Sequence, residues 1–265
     1  MFIDTHRHLE AAEFVDTHCH LDAAEFDADR AEIAVAAQTV GVTRIVVPAV
    51  DRASFSTVAA ACRAYPACRP AYGIHPLFVG TAQPEDLTVL QEMLTTGEAV
   101  AVGEIGLDYF LTPRDEKLQE EYFIAQLKIA AEFDLPVILH VRRAIDAVLK
   151  QLRRIPQRGG IAHAFNGSRQ QATEFIKLGF KLGFGGAMTF PRATRIRELA
   201  ANLPLDSLVL ETDSPDIPPL WLDGARNTPL QLPRIAATLA ELRGMRSEDL
   251  VRATTANACA VLRLD

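Results

Sequence analysis

Residues 99–142 read AVAVGEIGLDYFLTPRDEKLQEEYFIAQLKIAAEFDLPVILHVR, and this stretch decides the fold. An apolar run over 99–108 gives way to an amphipathic segment over 113–133, then to a second apolar run, PVILHV, over 136–141. Leu118, Tyr122, Ala125, Ile129 and Phe133 recur every three to four residues, which predicts a helix with one apolar face. Thr112 is the expected N-cap and Pro113 the first helical residue. Two buried strands joined by a helix form a βαβ unit, and a right-handed crossover makes the strands parallel.

The same alternation extends in both directions. Further strand-like runs lie at 14–22, 43–50, 69–76, 159–165, 181–186 and 207–215, with amphipathic segments between them and C-terminal helices from about Pro229. Eight βα units in about 250 residues match an α/β (β/α)8 TIM barrel in count and size. An open doubly wound sheet is disfavoured, because no GxGxxG turn follows the first strand. A chain of 265 residues with 49% hydrophobic and 23% charged residues can bury a large core. It contains no apolar run of transmembrane length, and its charged N-terminus is unlike a signal peptide, so a cytoplasmic protein that avoids membranes is expected. Four cysteines without a CxxC pair fit reduced thiols. The net charge of −7 argues against broad, non-specific gripping of nucleic acid.

Seven histidines carry the functional signal. His18 and His20, two apart on the first strand, share a face that would point into the barrel, with Cys19 pointing outward. A His-x-His pair is a metal chelate in waiting, although such pairs also occur in proteins that bind nothing. Glu104, His140, His163 and Asp213 fall near the ends of strands four, five, six and eight, which a barrel gathers on one rim. Any one of them could be a satisfied core side chain or a helix cap. Together they are hard to explain that way, since buried carboxylates are costly unless paired or bound to a cation. The ligand count exceeds what one catalytic zinc takes, so a two-metal site is expected.

The strings DTHCHLD, GIHP, VGEIGLDY, PVILHVR, HAFNGS, ETDSP and RNTP, in this order, resemble the TatD family of metal-dependent hydrolases over residues 14–265. The resemblance implies a divalent-metal phosphodiesterase of deoxyribonuclease type, trimming 3′ ends of DNA, or of RNA, as a 3′-5′ exonuclease. It implies that His18, His20 and Asp213 hold one ion, that Glu104 bridges, and that His140 and His163 hold the second. Asp213 would also orient or deprotonate the attacking water, making it and Glu104 the catalytic pair, while His75 and Arg142 would meet the substrate phosphate. Imidazoles favour Zn or Mn and carboxylates tolerate Mg, so the identity of the ions stays open. A monomer is expected.

Rival readings are a C–N amidohydrolase, a D-aminoacyl-tRNA ester deacylase, and a catalytically silent metal-binding protein. Dihydroorotase-like enzymes bridge their metals with a strand-four lysine, and here that strand carries Glu104 and no lysine. Tyr109, Phe110, Phe165 and Trp221 could stack on bases, with loop packing as the simpler role. Arg153, Arg154 and Arg158 complement a helix C-terminus. Asn227 is expected to tie the loop after Asp213 to the rim. Residues 2–13 and 14–25 form a tandem repeat with nine identities in twelve. Residues 1–13 are read as a duplicated extension and 14–265 as a single barrel domain. The second copy leads directly into the next helix, so His18 and His20, and not His6 and His8, are assigned to the site.

Overall fold

The computed structural model describes residues 13–264. All of the first copy of the repeat except Glu13, His6 and His8 included, lies outside the described residues. Eight parallel strands pair in sequence order: β1 (Phe14–Asp16), β2 (Val42–Pro48), β3 (Cys68–Tyr72), β4 (Ala101–Asp108), β5 (Val137–Arg142), β6 (Gly160–Ala162), β7 (Phe180–Phe184) and β8 (Leu208–Leu210). Closure between β8 and β1 runs mostly past the strand ends, where Thr17 N–H donates to Leu210 O at 3.1 Å and His20 N–H to Ser214 O at 2.8 Å. The molecule is a (β/α)8 barrel.

Around it lie α1 (Arg30–Thr39), α2 (Ser54–Ala64), α3 (Pro84–Thr95), α4 (Glu116–Glu132), α5 (Ile145–Arg154), α6 (Arg169–Lys177), α7 (Thr194–Asn202), α8 (Leu232–Arg243) and α9 (Ser247–Leu262). Outward-facing strand residues and the helices' inner faces form the larger core. Inward-facing Val15, Val46, Ala71, Ala101, Ile138, Ile161 and Val209 form a second core that Val261, Leu262 and Leu264 close from below. No helix among the described residues is long and apolar enough to cross a membrane.

Two local expectations are corrected. Helix α4 starts at Glu116, and its N-cap is Asp115, whose carboxylate accepts Leu118 N–H, instead of Thr112. Its buried face also includes Gln119 and Gln126. Gln119 accepts Asp108 N–H at 2.9 Å, and Gln126 both accepts Ile74 N–H and donates to Ile74 O, so two buried amides fix the ends of β3 and β4. Strand β1 stops at Asp16, well short of residue 22. Asp16 is fully buried and its carboxylate accepts from Thr212 N–H at 2.9 Å and Thr212 Oγ at 2.6 Å, stapling the segment after β1 to the segment after β8.

Candidate active site

Strand parity aims the site. Ile138, Ile161 and Val209 face inward, so the residues two further along, His140, His163 and Glu211, face inward above them. Glu104 obeys this rule only because β4 breaks it. Ala101 faces inward, and unbroken alternation would turn Glu104 out. The β4–β5 register shifts between Val102 and Ile105, Ile105 packs on the outer core, and Glu104 enters the barrel. His18 and His20 lie beyond β1, where Asp213 N–H donates to His18 O at 2.8 Å and His20 Nδ1 contacts Pro48 O at 3.2 Å. Asp213 holds a left-handed φ of 58°, a local strain of the kind that surrounding structure must impose.

Glu104 is the hub. Its Oε1 lies 3.0 Å from His140 Nδ1, 3.0 Å from His163 Nε2 and 3.5 Å from His75 Nε2, and its Oε2 lies 3.1 Å from His18 Nε2 and 3.7 Å from His20 Nε2. Asp213 Oδ1 is 3.5 Å from His18 Nε2 and 4.0 Å from His20 Nε2. Three overlapping donor groups result: His18, His20 and Asp213; His18, Glu104 and His163; His75, Glu104 and His140. The first holds the residues expected for one ion and Glu104 joins the other two, but His140 and His163, expected to share the second ion, fall in different groups. His75, expected to meet the substrate phosphate, is 6% exposed, lines the cleft and also belongs to the cluster through Glu104 and His140. Arg142 is exposed at the end of β5, its guanidinium 3.7 Å from the Phe110 ring centre.

The cluster fits divalent cations. His18 Nε2 and His20 Nε2 are 3.2 Å apart, and five imidazoles crowd around Glu104 with the Nδ1 atoms of His18 and His163 buried without a hydrogen-bond partner. The donor set is the mixture of neutral imidazole and carboxylate that such ions take. Electrostatics without an ion show the crowding. Burial, with the neighbouring His163, pushes His18 down to about 3. Burial opposes a charged His163, yet Glu104 and Asp213 outweigh it and push it up to about 10. Glu104 is held well below the usual carboxylate range, because the surrounding histidines overcome its own burial. Burial raises Asp213.

Sequence reasoning missed two carboxylates behind this cluster. Asp108 Oδ2 lies 2.9 Å from His140 Nε2. Glu211, 1% exposed, accepts Ala164 N–H at 2.6 Å and sits 3.8 Å from His163 Nδ1, with burial pushing its pKa up to about 8. Both back a histidine on the side away from Glu104. A Cβ on Gly183 would lie 2.0 Å from Glu211 Oε2, so the inner face of β7 is vacated for this carboxylate. Glu211 had a signal, since it stands two residues before Asp213 in the apolar run read as the eighth strand.

Other expectations resolve simply. Asn227 is fully buried, and its Nδ2 donates to Thr212 O, Asp216 O and Ile217 O, tying the loop to the rim. Phe165 is buried against Phe175, and Trp221 Nε1 donates to Gln231. Arg153 pairs with Glu174 and Arg158 with Asp134 on the surface. Above the cluster opens a cleft of about 1560 Å³, lined by His20, His75, Glu104, His140, His163, Asp213 and Arg142 among others.

The profile of the family described as "TatD related DNase" matches residues 15–263. The chain belongs to the TatD family of metal-dependent hydrolases. It is 42% identical to the uncharacterized metal-dependent hydrolase YjjV of Escherichia coli K12, across 97% of this chain and 95% of that protein. The crystal structure of YjjV superposes with a TM-score of 0.92 at 39% identity, covering 96% of this chain and all of the other. A more distant TatD relative, from Klebsiella pneumoniae, is named a 3'-5' ssDNA/RNA exonuclease; it is 33% identical across 89% of this chain and 93% of its own length.

Proposed function

We propose that this protein is a divalent-metal-dependent phosphodiesterase that removes nucleotides from the 3′ ends of single-stranded DNA or RNA. The observation that carries the reading is the convergence of His20, His140, His163, Glu104 and Asp213, with buried His18 directly behind them, on a cleft that Arg142 also lines. All six come from one chain, which supports action as a monomer. Two bound ions, of Mg, Mn or Zn, would supply Lewis-acid charge at the phosphoryl oxygens and acidify a water. His18, His20 and Asp213 would hold one, His140 and His163 the other, with Glu104 shared and His75 beside it.

The remaining chemistry belongs to the chain. Asp213, its basicity raised by burial, accepts the proton of the attacking water and fixes its approach. Arg142 lies where a non-bridging phosphate oxygen would be met, offering charge-assisted hydrogen bonds. Asp108, hydrogen-bonded to His140 Nε2, keeps that ring oriented, and Glu211 places a buried carboxylate 3.8 Å from His163 Nδ1.

The relative named as an exonuclease supports the substrate class. The test is metal analysis followed by assay of the loaded protein on 5′-labelled single-stranded DNA and RNA, bis(4-nitrophenyl) phosphate, dihydroorotate and aminoacyl-tRNA. A ladder shortening from the 3′ end, abolished by chelator and by Glu104→Gln, is expected. Hydrolysis of only the C–N or acyl ester substrates would overturn the reading.

A further inference from the structure

Charge and hydrophobicity divide the rim of the cleft into arcs. The loops after β1 and β2 place Asp22, Glu25 and Asp51 on the cleft wall. The loops after β3 and β4 are apolar: Leu77, Phe78 and Phe110 are 46%, 37% and 40% exposed, and all three line the cleft. With Leu111 they make up four of the seven exposed large hydrophobic residues among those described. The end of β5 contributes Arg142 and the residue after it Arg143, and the first turn of α7, which follows β7, contributes Arg195. In an eight-stranded barrel paired in sequence order, the β1–β2 arc lies across from β5–β6.

The three arginines also differ from most others in this protein. Arg30, Arg153, Arg226 and Arg246 are engaged by carboxylates. Arg142, Arg143 and Arg195 form no ion pair among the described residues. The first two lie over the Phe110 ring, at 3.7 and 4.7 Å from its centre, and the third is steadied by Asn166 Oδ1 at 2.7 Å. Asp146 on the same arc is occupied by the Gln171 amide. Exposed aromatic surface flanked by uncompensated guanidinium groups complements a ligand that alternates flat apolar faces with anionic groups, which describes a single polynucleotide strand. The acidic arc opposite repels phosphate.

Resting on the phosphodiesterase reading, we propose that the β3–β7 loops form a track for the strand upstream of the scissile phosphate. Phe110 stacks a base, Arg143 and Arg195 meet backbone phosphates, and the acidic β1–β2 arc ends the track, so that one nucleotide at a time passes beyond the site.

The test compares kcat/KM for a single-stranded 12-mer with that for bis(4-nitrophenyl) phosphate, which is too small to reach the track. In Phe110→Ala, Arg143→Ala and Arg195→Ala the ratio of the two is expected to fall about tenfold, through KM for the 12-mer. The salt dependence of 12-mer binding should flatten by about 0.7 in log–log slope per guanidinium removed. Glu25→Lys, on the opposite arc, should hold or raise the ratio. Thermal melting checks that each variant is folded. An unchanged ratio in all three track variants, or a fall in Glu25→Lys as large as theirs, would overturn the track while leaving the phosphodiesterase intact. Failure of the wild type to hydrolyse either diester would overturn the underlying reading itself.

Discussion

Low in the barrel the inner face carries Ile138, Ile161 and Val209; two residues further along the same strands it carries His140, His163 and Glu211. The lower layer is dry and apolar and is sealed by α9, and each fully buried aliphatic side chain there contributes roughly 1.5–3 kcal/mol of stability. The upper layer buries carboxylates and imidazoles whose charged forms water would otherwise solvate. Its mutual attractions offset that cost only partly, as the opposed shifts of His18 and His163 show. One continuous set of strands therefore separates the work: the lower layer stabilises the fold, and the upper layer holds chemistry at the expense of stability.

The largest expected effect tests the upper layer. Asp213→Asn keeps the shape and removes the proton acceptor, so hydrolysis by the metal-loaded protein should fall about 10²–10⁴-fold. Stability of the metal-free form should hold or rise, because burial already disfavours the Asp213 carboxylate. Rate assays and urea unfolding with chelator check both halves. Equal losses of activity and stability would dissolve the distinction between layers.

Ile138→Ala is the converse experiment. Ile138 is fully buried below His140, and its truncation should cost about 2–5 kcal/mol by transfer and cavity terms. Activity per folded molecule should stay within a few-fold of wild type, since no site residue is removed. A urea midpoint unmoved by this substitution would mean that the lower layer is not the source of stability.

The two layers were not equally legible in the sequence. Eight apolar runs and the helices between them gave away the barrel, because burial on both faces leaves continuous hydrophobic strands. His140 and His163 followed from the same periodicity. Glu104 could be placed at the end of its strand, but its inward aim depends on a shift in β4 that no residue type announces. His18 and His20 do converge, but from a segment shaped by the Asp16–Thr212 staple and not from a strand as the alternation suggested. Asp108 was hidden because an acid next to a loop has many ordinary uses. The depth of His75 was hidden too, because position along the chain says which rim loop a residue occupies and not how deep its side chain sits.

The smallest effect, and the sharpest on the upper layer alone, is the response to pH. In the metal-free protein His163, pushed up to about 10, holds a proton near neutrality, and His140 is shifted the same way by Asp108 and Glu104 against its burial. An incoming cation must displace the His163 proton. His18 is already deprotonated, and Glu104 already ionised, so neither adds to the count. Apparent metal affinity should therefore rise between pH 6 and 8, by about tenfold per pH unit for each proton displaced. The stability of the metal-free fold has the opposite sign. The attraction of Glu104 for charged His163 is fully present below the ordinary imidazole value near 6.5, and is lost as pH rises through about 10. Titration calorimetry in buffers of different ionisation enthalpy counts the released protons, and unfolding in chelator follows the second effect. Affinity independent of pH, with no proton released, would show that the histidines gathered on Glu104 are not the groups that meet the metal.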